Sequence, residues 1–275
     1  MENLDQATVD GFGAEWTRFD QVDLDAKEAQ DIFESYFSIF PWDVLPAGAE
    51  GFDMGCGSGR WARFVAQRVG KLHCVDPSDA IYIAARNLSD LNNVEYHKED
   101  ASGFSVSPDS QDFGYSLGVL HHVPNTEAAL RDCVAKLKPG ALFLAYLYYA
   151  LENRPRWFQL VWRVSDRVRS RVAVMDDERK AKVADAVAAT IYFPLARLAF
   201  FLEKAGFCVS SVPLSTYRDK SFYVMRTDAL DRFGTRLEHR FTRGQIAAMM
   251  TAAGLADIRF SEREPYWVAV GRRMR

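Results

Sequence analysis

The stretch FDMGCGSGRW, Phe52–Trp61, sets Gly55, Gly57 and Gly59 between an apolar run that carries an acid and a run with helical spacing. Glycine lets a backbone approach a ligand with no side chain in the way. A strand–turn–helix joint also leaves N–H groups and the positive end of a helix dipole available. The stretch therefore reads as a cradle for an anionic group, and it restricts the chain to folds that build one at a strand end. Spacing narrows the ligand further. A dinucleotide fingerprint is G-x-G-x-x-G, but here Arg60 stands where the third glycine would fall, and a pyrophosphate fits poorly. The G-K-[ST] of a P-loop is missing as well.

Around this joint, short apolar runs alternate with amphipathic ones from Ala49 onward, the pattern of a parallel sheet with crossover helices. AEGFDMG, KLHCVD, NVEYHKED, DFGYSLGVL and ALFLAYLYY read as strands. GRWARFVAQRVG, SDAIYIAARNLSD with Ser78 as N-cap, and TEAALRDCVAKLKPG, capped by Thr126 and closed by Pro139–Gly140, read as helices. After Tyr149 the rhythm breaks. It returns in FTRGQIAAMMTAAGL, with Thr242 as N-cap and Gly254 at the end, followed by ADIRFSE and PYWVAVGRR as an antiparallel pair at the sheet edge. The fold class is α/β and doubly wound. It divides into an N-terminal arm over 1–45, a core over 46–150, a mainly helical inserted cap over 151–241, and a closing helix and two strands over 242–275.

Two further acids end strands of this pattern. Asp76, followed by Pro77, closes the second strand, where a carboxylate accepts ribose hydroxyls, and Asp100 closes the third, where one accepts an adenine amine proton. A carboxylate at the glycine loop, a ribose and an adenine together describe S-adenosylmethionine. With FDMGCGSG, CVDPS, KEDAS, DFGYSLGVLHHVPN and LKPGALFLAYL in order, the chain resembles the class I S-adenosylmethionine-dependent methyltransferases from about Gly51 to Tyr149, and again at its C-terminus. The resemblance implies a Rossmann-like seven-stranded sheet of order 3-2-1-4-5-7-6 with strand seven antiparallel. It also implies cofactor contacts from Asp53, Gly55, Gly57, Gly59, Asp76, Pro77, Asp100, Ala101, Leu117 and Gly118. Phe52-Asp53-Met54, where the family has aliphatic-Asp-Leu, is a conservative departure. The opening FGAEWTRFD resembles the arm of small-molecule methyltransferases, so Trp16 and Phe19 are either an aromatic lid over the cofactor or staples that hold the arm to the core.

Methyl transfer asks the protein to position an acceptor and to take a proton from it. His121 and His122 follow the fourth strand; His121 is the candidate for the acceptor pocket and His122 for packing. Tyr148 and Tyr149 end the fifth strand, and alternation turns one of them toward the pocket; Tyr149 joins the catalytic candidates. The segment STYRDKSFYVMRTDALDRFGTRLEHRF is dense in aromatic and charged residues. It nominates Tyr217 and His239 as catalytic, and Arg218, Tyr223, Arg226, Asp228 and Glu238, with Trp16, as substrate-binding; the alternative is that they tie cap to core.

Composition bounds the partners. A formal net charge of -3 gives no global reason to bind nucleic acid. Cys56, Cys74, Cys133 and Cys208 are scattered, with no metal-like grouping with the histidines, so no metal site is expected and reduced thiols place the protein in the cytoplasm. The N-terminus lacks the basic and apolar regions of a secretory signal, and IYFPLARLAFFL is too short to span a membrane. The arginine-dense run NRPRWFQLVWRVSDRVRSR leaves three readings: a solvated face, a dock for a phosphate-bearing substrate, or contact with an anionic membrane. The function that follows is methyl transfer to O or N of a small metabolite, such as a sugar or other biosynthetic intermediate. The alternatives are tRNA or a phospholipid headgroup as acceptor, a non-catalytic cofactor-binding protein, and a nicotinamide oxidoreductase, against which the glycine spacing argues. A homodimer is left open.

Overall fold

In the computed structural model, which describes residues 3–209 and 212–275, the N-terminal arm forms α1 (Gln6–Arg18) and α2 (Ala26–Phe37). Asp5 and Asp25 cap them by accepting N–H groups of the first turn. The alternation then runs β1 (Glu50–Met54), α3 (Ala62–Ala66), β2 (Lys71–Val75), α4 (Ala80–Asn87), β3 (Val94–His97), β4 (Gln111–Leu117), α5 (Thr126–Lys136) and β5 (Leu137–Tyr146). The middle of the chain holds α6 (Arg156–Val172), α7 (Asp177–Val187), α8 (Phe193–Lys204) and α9 (Phe222–Gly234), and the chain closes with α10 (Arg243–Ala252), β6 (Leu255–Phe260) and β7 (Val268–Arg273). Two units emerge, Met1–Ala150 with Leu237–Arg275, and Leu151–Arg236.

In the first unit the strands form one sheet in the order β3-β2-β1-β4-β5-β7-β6, parallel except for β7, which runs antiparallel to both β5 and β6. This is the implied order. Alternation along the inner strands feeds two cores, one on each face: Phe52, Met54, Phe143 and Ala145 pack with Leu130, Val134 and Ile246, whereas Phe113, Tyr115, Leu142 and Leu144 pack with Phe33, Phe37 and Trp61. Burial on both faces explains why these strands read as nearly continuous apolar runs. The order reverses between β1 and β4, and that switch point opens the crevice at the carboxyl ends of the strands where ligands of such sheets bind.

Local ends differ from the sequence reading in four places. The first helix shrinks to Ala62–Ala66, because Gly59 sits at φ +80° and holds the chain outside the helix before it. Ser78 precedes α4 by two residues; its Oγ accepts the Ala80 N–H at 3.2 Å and donates to Asp76, while Asp79 takes the cap position. Asn125, not Thr126, caps α5, accepting the Ala128 N–H at 3.0 Å. Pro139–Gly140 lies inside β5, whose first residue Leu137 is buried and already paired with Gln111. The reading of α10 holds, with a reciprocal box between Thr242 and Gln245 and Gly254 at φ +95°.

In the second unit, α7 runs through a π-turn, Ala188–Tyr192, into α8, giving one helical run Asp177–Lys204. Pro194 falls in the first turn of α8, where a missing N–H costs little. By length and composition alone this run is long and apolar enough to cross a membrane, and it extends well beyond the twelve-residue apolar segment read from the sequence. Ala181, Ala184, Ala188, Tyr192, Ala196 and Ala199 are its buried apolar positions, with Lys180 buried beside them, and their spacing of three and four residues makes one packed face.

Candidate active site

The glycine loop is held from both sides. Gly55 and Cys56 donate their N–H groups to the Val75 carbonyl at 2.7 and 3.1 Å, and Gly57 donates to Asp76 Oδ2 at 2.9 Å. Gly57 has φ +54°, and a Cβ there would lie 2.9 Å from the Trp16 indole; a Cβ on Gly55, at φ +78°, would lie 2.4 Å from Val119. Both positions therefore exclude side chains by conformation and by contact. Trp16 lies on the loop itself, with Arg60 over its ring at 5.4 Å, whereas Phe19 is buried; the arm's two aromatics divide into one over the cradle and one in the core.

Around the loop stand the acids. Asp76 is buried, and its Oδ1 accepts both the N–H and the hydroxyl of Ser78, at 2.9 and 2.6 Å; burial raises its carboxyl against these bonds. Asp53 is 1% exposed and its Oδ2 has no hydrogen-bond partner. Burial pushes its carboxyl up to about 8, the Tyr115 hydroxyl opposes this, and the charge of Asp76 adds to it. A buried carboxyl with one unpartnered oxygen beside a glycine loop fits a cationic ligand group, such as the ammonium of an amino-acid tail. Asp100, after β3, accepts the Ser102 N–H at 2.6 Å and its hydroxyl. Ala101 is buried beside it, Pro77 follows Asp76, and Leu117 and Gly118, the latter at φ +79°, end β4 with no atom near a Gly118 Cβ position.

Immediately beyond, a 3-10 turn, Leu120–His122, carries His121 fully buried with both ring nitrogens unpartnered. Burial holds its imidazole well below the ordinary histidine range, reinforced by His122, Arg240 and His239, so it is neutral. Its ring lies 3.9 Å from those of both His122 and Tyr148. The segment after the second unit is tied onto this turn: His239 N–H donates to the His121 carbonyl at 2.9 Å, and His122 Nδ1 bonds the Leu237 carbonyl at 2.7 Å. Phe241 N–H donates to the Tyr148 carbonyl at 2.9 Å. This brings Glu238 and His239 beside His121, with Glu238 Oε2 and His239 Nε2 also buried and unpartnered. Arg240 pairs with Glu238 Oε1 at 2.7 Å and sits 5.1 Å over the Tyr148 ring.

Tyr148, not Tyr149, faces this cluster. Tyr149 turns to the opposite face, 5.7 Å from the Tyr266 ring, because Leu147 and Tyr149 continue the alternation of Phe143 and Ala145. The sequence reading offered Tyr148 and Tyr149 as alternatives and carried Tyr149 among the candidates, where the parity of β5 selects Tyr148; it missed Arg240, which nothing local marked.

The remaining nominated residues belong to the second unit and are engaged there. Arg226 makes a two-bond pair with Asp185 at 2.8 and 3.0 Å. Arg218 pairs with Glu203 at 2.7 Å, and the Tyr217 ring lies 5.2 Å from that of Tyr192, its hydroxyl pushed well up by burial and by Asp228. Tyr223 lies in α9, where its carbonyl accepts from Thr227.

The fold also gathers His73, Glu95 and His97, which sequence spacing kept apart, with their ligand atoms within 4.8 Å of one another. Their contacts close without a metal: Ser105 lies 3.2 Å from His97 Nδ1, His97 Nε2 3.0 Å from His73 Nδ1, and His73 Nε2 2.7 Å from Glu50.

A sheet of this order, with a glycine loop after β1 and acids ending β1, β2 and β3, defines the class I S-adenosylmethionine-dependent methyltransferases. Residues 52–145 match the family model described as "Methyltransferase domain", which together with this sheet supports a class I S-adenosylmethionine-dependent methyltransferase. The ubiquinone biosynthesis O-methyltransferase of Pseudomonas fluorescens Pf0-1 is 29% identical over 143 residues, which span 51% of this chain and 62% of that protein. The enzyme of the same name from Xanthomonas axonopodis pv. citri is 28% identical over 149 residues, or 53% and 62%. An O-methyltransferase family protein from Burkholderia thailandensis shares the fold at a TM-score of 0.53 and 14% identity, covering 90% of this chain and 56% of that one. The methyltransferase in complex with the Trm112 activator from Haloferax volcanii does so at 0.54 and 15%, over 97% and 99%. The cofactor of the domain is S-adenosylmethionine.

Proposed function

We propose that the protein transfers a methyl group to an oxygen or nitrogen of a small molecule, a hydroxyl in the first instance, with His121 taking the acceptor's proton. S-adenosylmethionine supplies a methyl group already activated by its sulfonium. The residues do the rest. Asp53, beside the glycine loop, receives the ammonium of the amino-acid tail, Asp76 the ribose and Asp100 with Ala101 the adenine, and the turn after β4 places His121 on the acceptor side.

The observation that carries this reading is the pair of unpartnered nitrogens on a buried, neutral imidazole. A neutral His121 accepts a proton from a hydroxyl on one ring nitrogen, and His239, whose Nε2 is also unpartnered, is among the groups around it. Burying such groups unsatisfied costs stability, which a bound acceptor offsets. The names of the curated relatives favour oxygen over nitrogen as the accepting atom. The free, buried thiols of Cys56, Cys74 and Cys133 support placement in a reducing compartment.

Labelled-methyl transfer from S-adenosylmethionine to a panel of phenols, catechols, sugars and amines tests it. Transfer to a hydroxyl, lost in His121→Gln while S-adenosylhomocysteine still binds, is the expected result. Transfer confined to amines, or full activity in His121→Gln, overturns the assignment of acceptor or base.

A further inference from the structure

The helix α6 presents Trp157, Leu160, Val161, Val164 and Val168 on one stripe, and each is open to solvent, at 49, 61, 53, 52 and 46% exposure. A stripe of this spacing normally turns inward. Here another face does the packing: Val172 is buried, and Arg169 donates to the Thr235 carbonyl at 2.8 Å, tying the helix to the end of α9. The outward stripe is about 17 Å long at 1.5 Å per residue.

Along one flank of it run Arg156, Arg163, Arg167 and Arg171, at separations of seven, four and four residues that align them as a ridge. All four are exposed, and none has an ion pair among the described residues. The acids that stand nearest in sequence are spent on other cations. Asp166 pairs with Arg169 at 2.7 Å, Asp176 with Arg179 at 3.1 Å, Asp177 with Lys180 at 3.2 Å and Glu178 with Lys182 at 2.6 Å. A merely solvated face would have no reason to expose a tryptophan and a leucine in line, and a phosphate dock would have no use for the apolar stripe.

The geometry points to α6 as an interfacial helix that lies on an anionic lipid bilayer, the stripe entering the headgroup–acyl boundary and the arginine ridge meeting lipid phosphates. Charge complementarity selects this occupant. Four unpaired guanidinium groups beside the stripe repel the same face of a second copy, whereas each gains attraction at a negative leaflet. The attachment is peripheral and independent of whichever acceptor the first unit methylates.

Flotation of the full chain with vesicles tests it, using phosphatidylcholine alone and phosphatidylcholine with 30 mol% phosphatidylglycerol, at low and at high salt. The account predicts binding to the anionic vesicles that high salt weakens, and about 10-fold or weaker binding to the neutral ones. R163Q/R167Q/R171Q should lose about 100-fold in affinity for anionic vesicles. L160Q/V164Q should lose binding at low salt too, and both variants should keep the parent's helix content and thermal melt as well as its S-adenosylhomocysteine binding, showing that both units are folded. No binding of the parent to anionic vesicles at low salt overturns the proposal. So does a parent dimer that L160Q/V164Q makes monomeric without vesicle binding, which would assign the stripe to a second copy. Arginine-dependent binding to RNA in place of vesicles overturns it as well.

Discussion

Two regions of the molecule are rich in tyrosine, histidine, arginine and acid, and they use those groups in opposite ways. In the turn after β4 and the segment 237–241, polar atoms of His121, Glu238 and His239 are buried and left without protein partners. In the second unit, Arg218, Arg226 and Tyr217 are consumed by Glu203, Asp185 and Asp228. Density of such residues therefore does not mark a site; unsatisfied burial does. Scattered orphaned atoms occur elsewhere too, such as the Tyr192 hydroxyl, but among the described residues only after β4 do they cluster on a histidine that follows the cofactor-side strand.

The contrast can be broken by substitution, beginning with the largest effect. His121→Gln should lower the turnover rate by about 10²–10⁴-fold, the contribution of a positioned base, with cofactor affinity unchanged. Because burial keeps His121 neutral, the rate should show no fall from this group between pH 8 and 6. A limb near 6.5 that vanishes in the variant would show it solvated. Asp76→Ala should weaken S-adenosylhomocysteine binding by about 1.5–3 kcal/mol, since the residue also fixes the Gly57 amide; calorimetry reads this directly.

Asp53 sharpens the comparison through stability. Its carboxyl titrates at about 8 in the folded chain and near 3.9 in an unfolded one. The folded chain thus keeps a proton that the unfolded chain releases, and the stability present below about pH 4 is lost as pH rises through 8. Asp53→Asn cannot ionise, so the ligand-free variant should outlast the parent in thermal melts by a margin that grows as pH rises from about 4 to about 8. The smallest effect belongs to the second unit. Arg226→Ala removes a half-exposed ion pair and should cost about 1 kcal/mol of stability, leaving cofactor affinity and turnover as they were. A loss of turnover instead would return Arg226 to the substrate contacts.

The sheet was legible in the sequence because its signals are local: glycines after an apolar run, acids at strand ends, and turn residues at regular spacing. Asp53, Asp76 and Gly57 could be placed on that basis alone. The acceptor side was legible only in part. His121 stood out by following β4, but the partnership of Glu238 and His239 with it depends on contacts across more than a hundred residues, such as the bond from His122 to Leu237. The choice between Tyr148 and Tyr149 needed the parity of β5, which the run of apolar residues on both faces hides. In the second unit the acids Asp166, Asp176, Asp177 and Glu178 stand near the arginine run in sequence, but the ion pairs they form are with other cations and leave the ridge uncompensated.

If the cationic tail of the cofactor docks on Asp53, whose buried carboxyl holds a proton at neutral pH, binding must expel that proton. Calorimetric titration with S-adenosylhomocysteine at pH 7, repeated in buffers of different ionisation heat, measures the protons exchanged on binding. Release of close to one proton by the parent and none by Asp53→Asn is the predicted result; no release by the parent, or equal release by both, would contradict it.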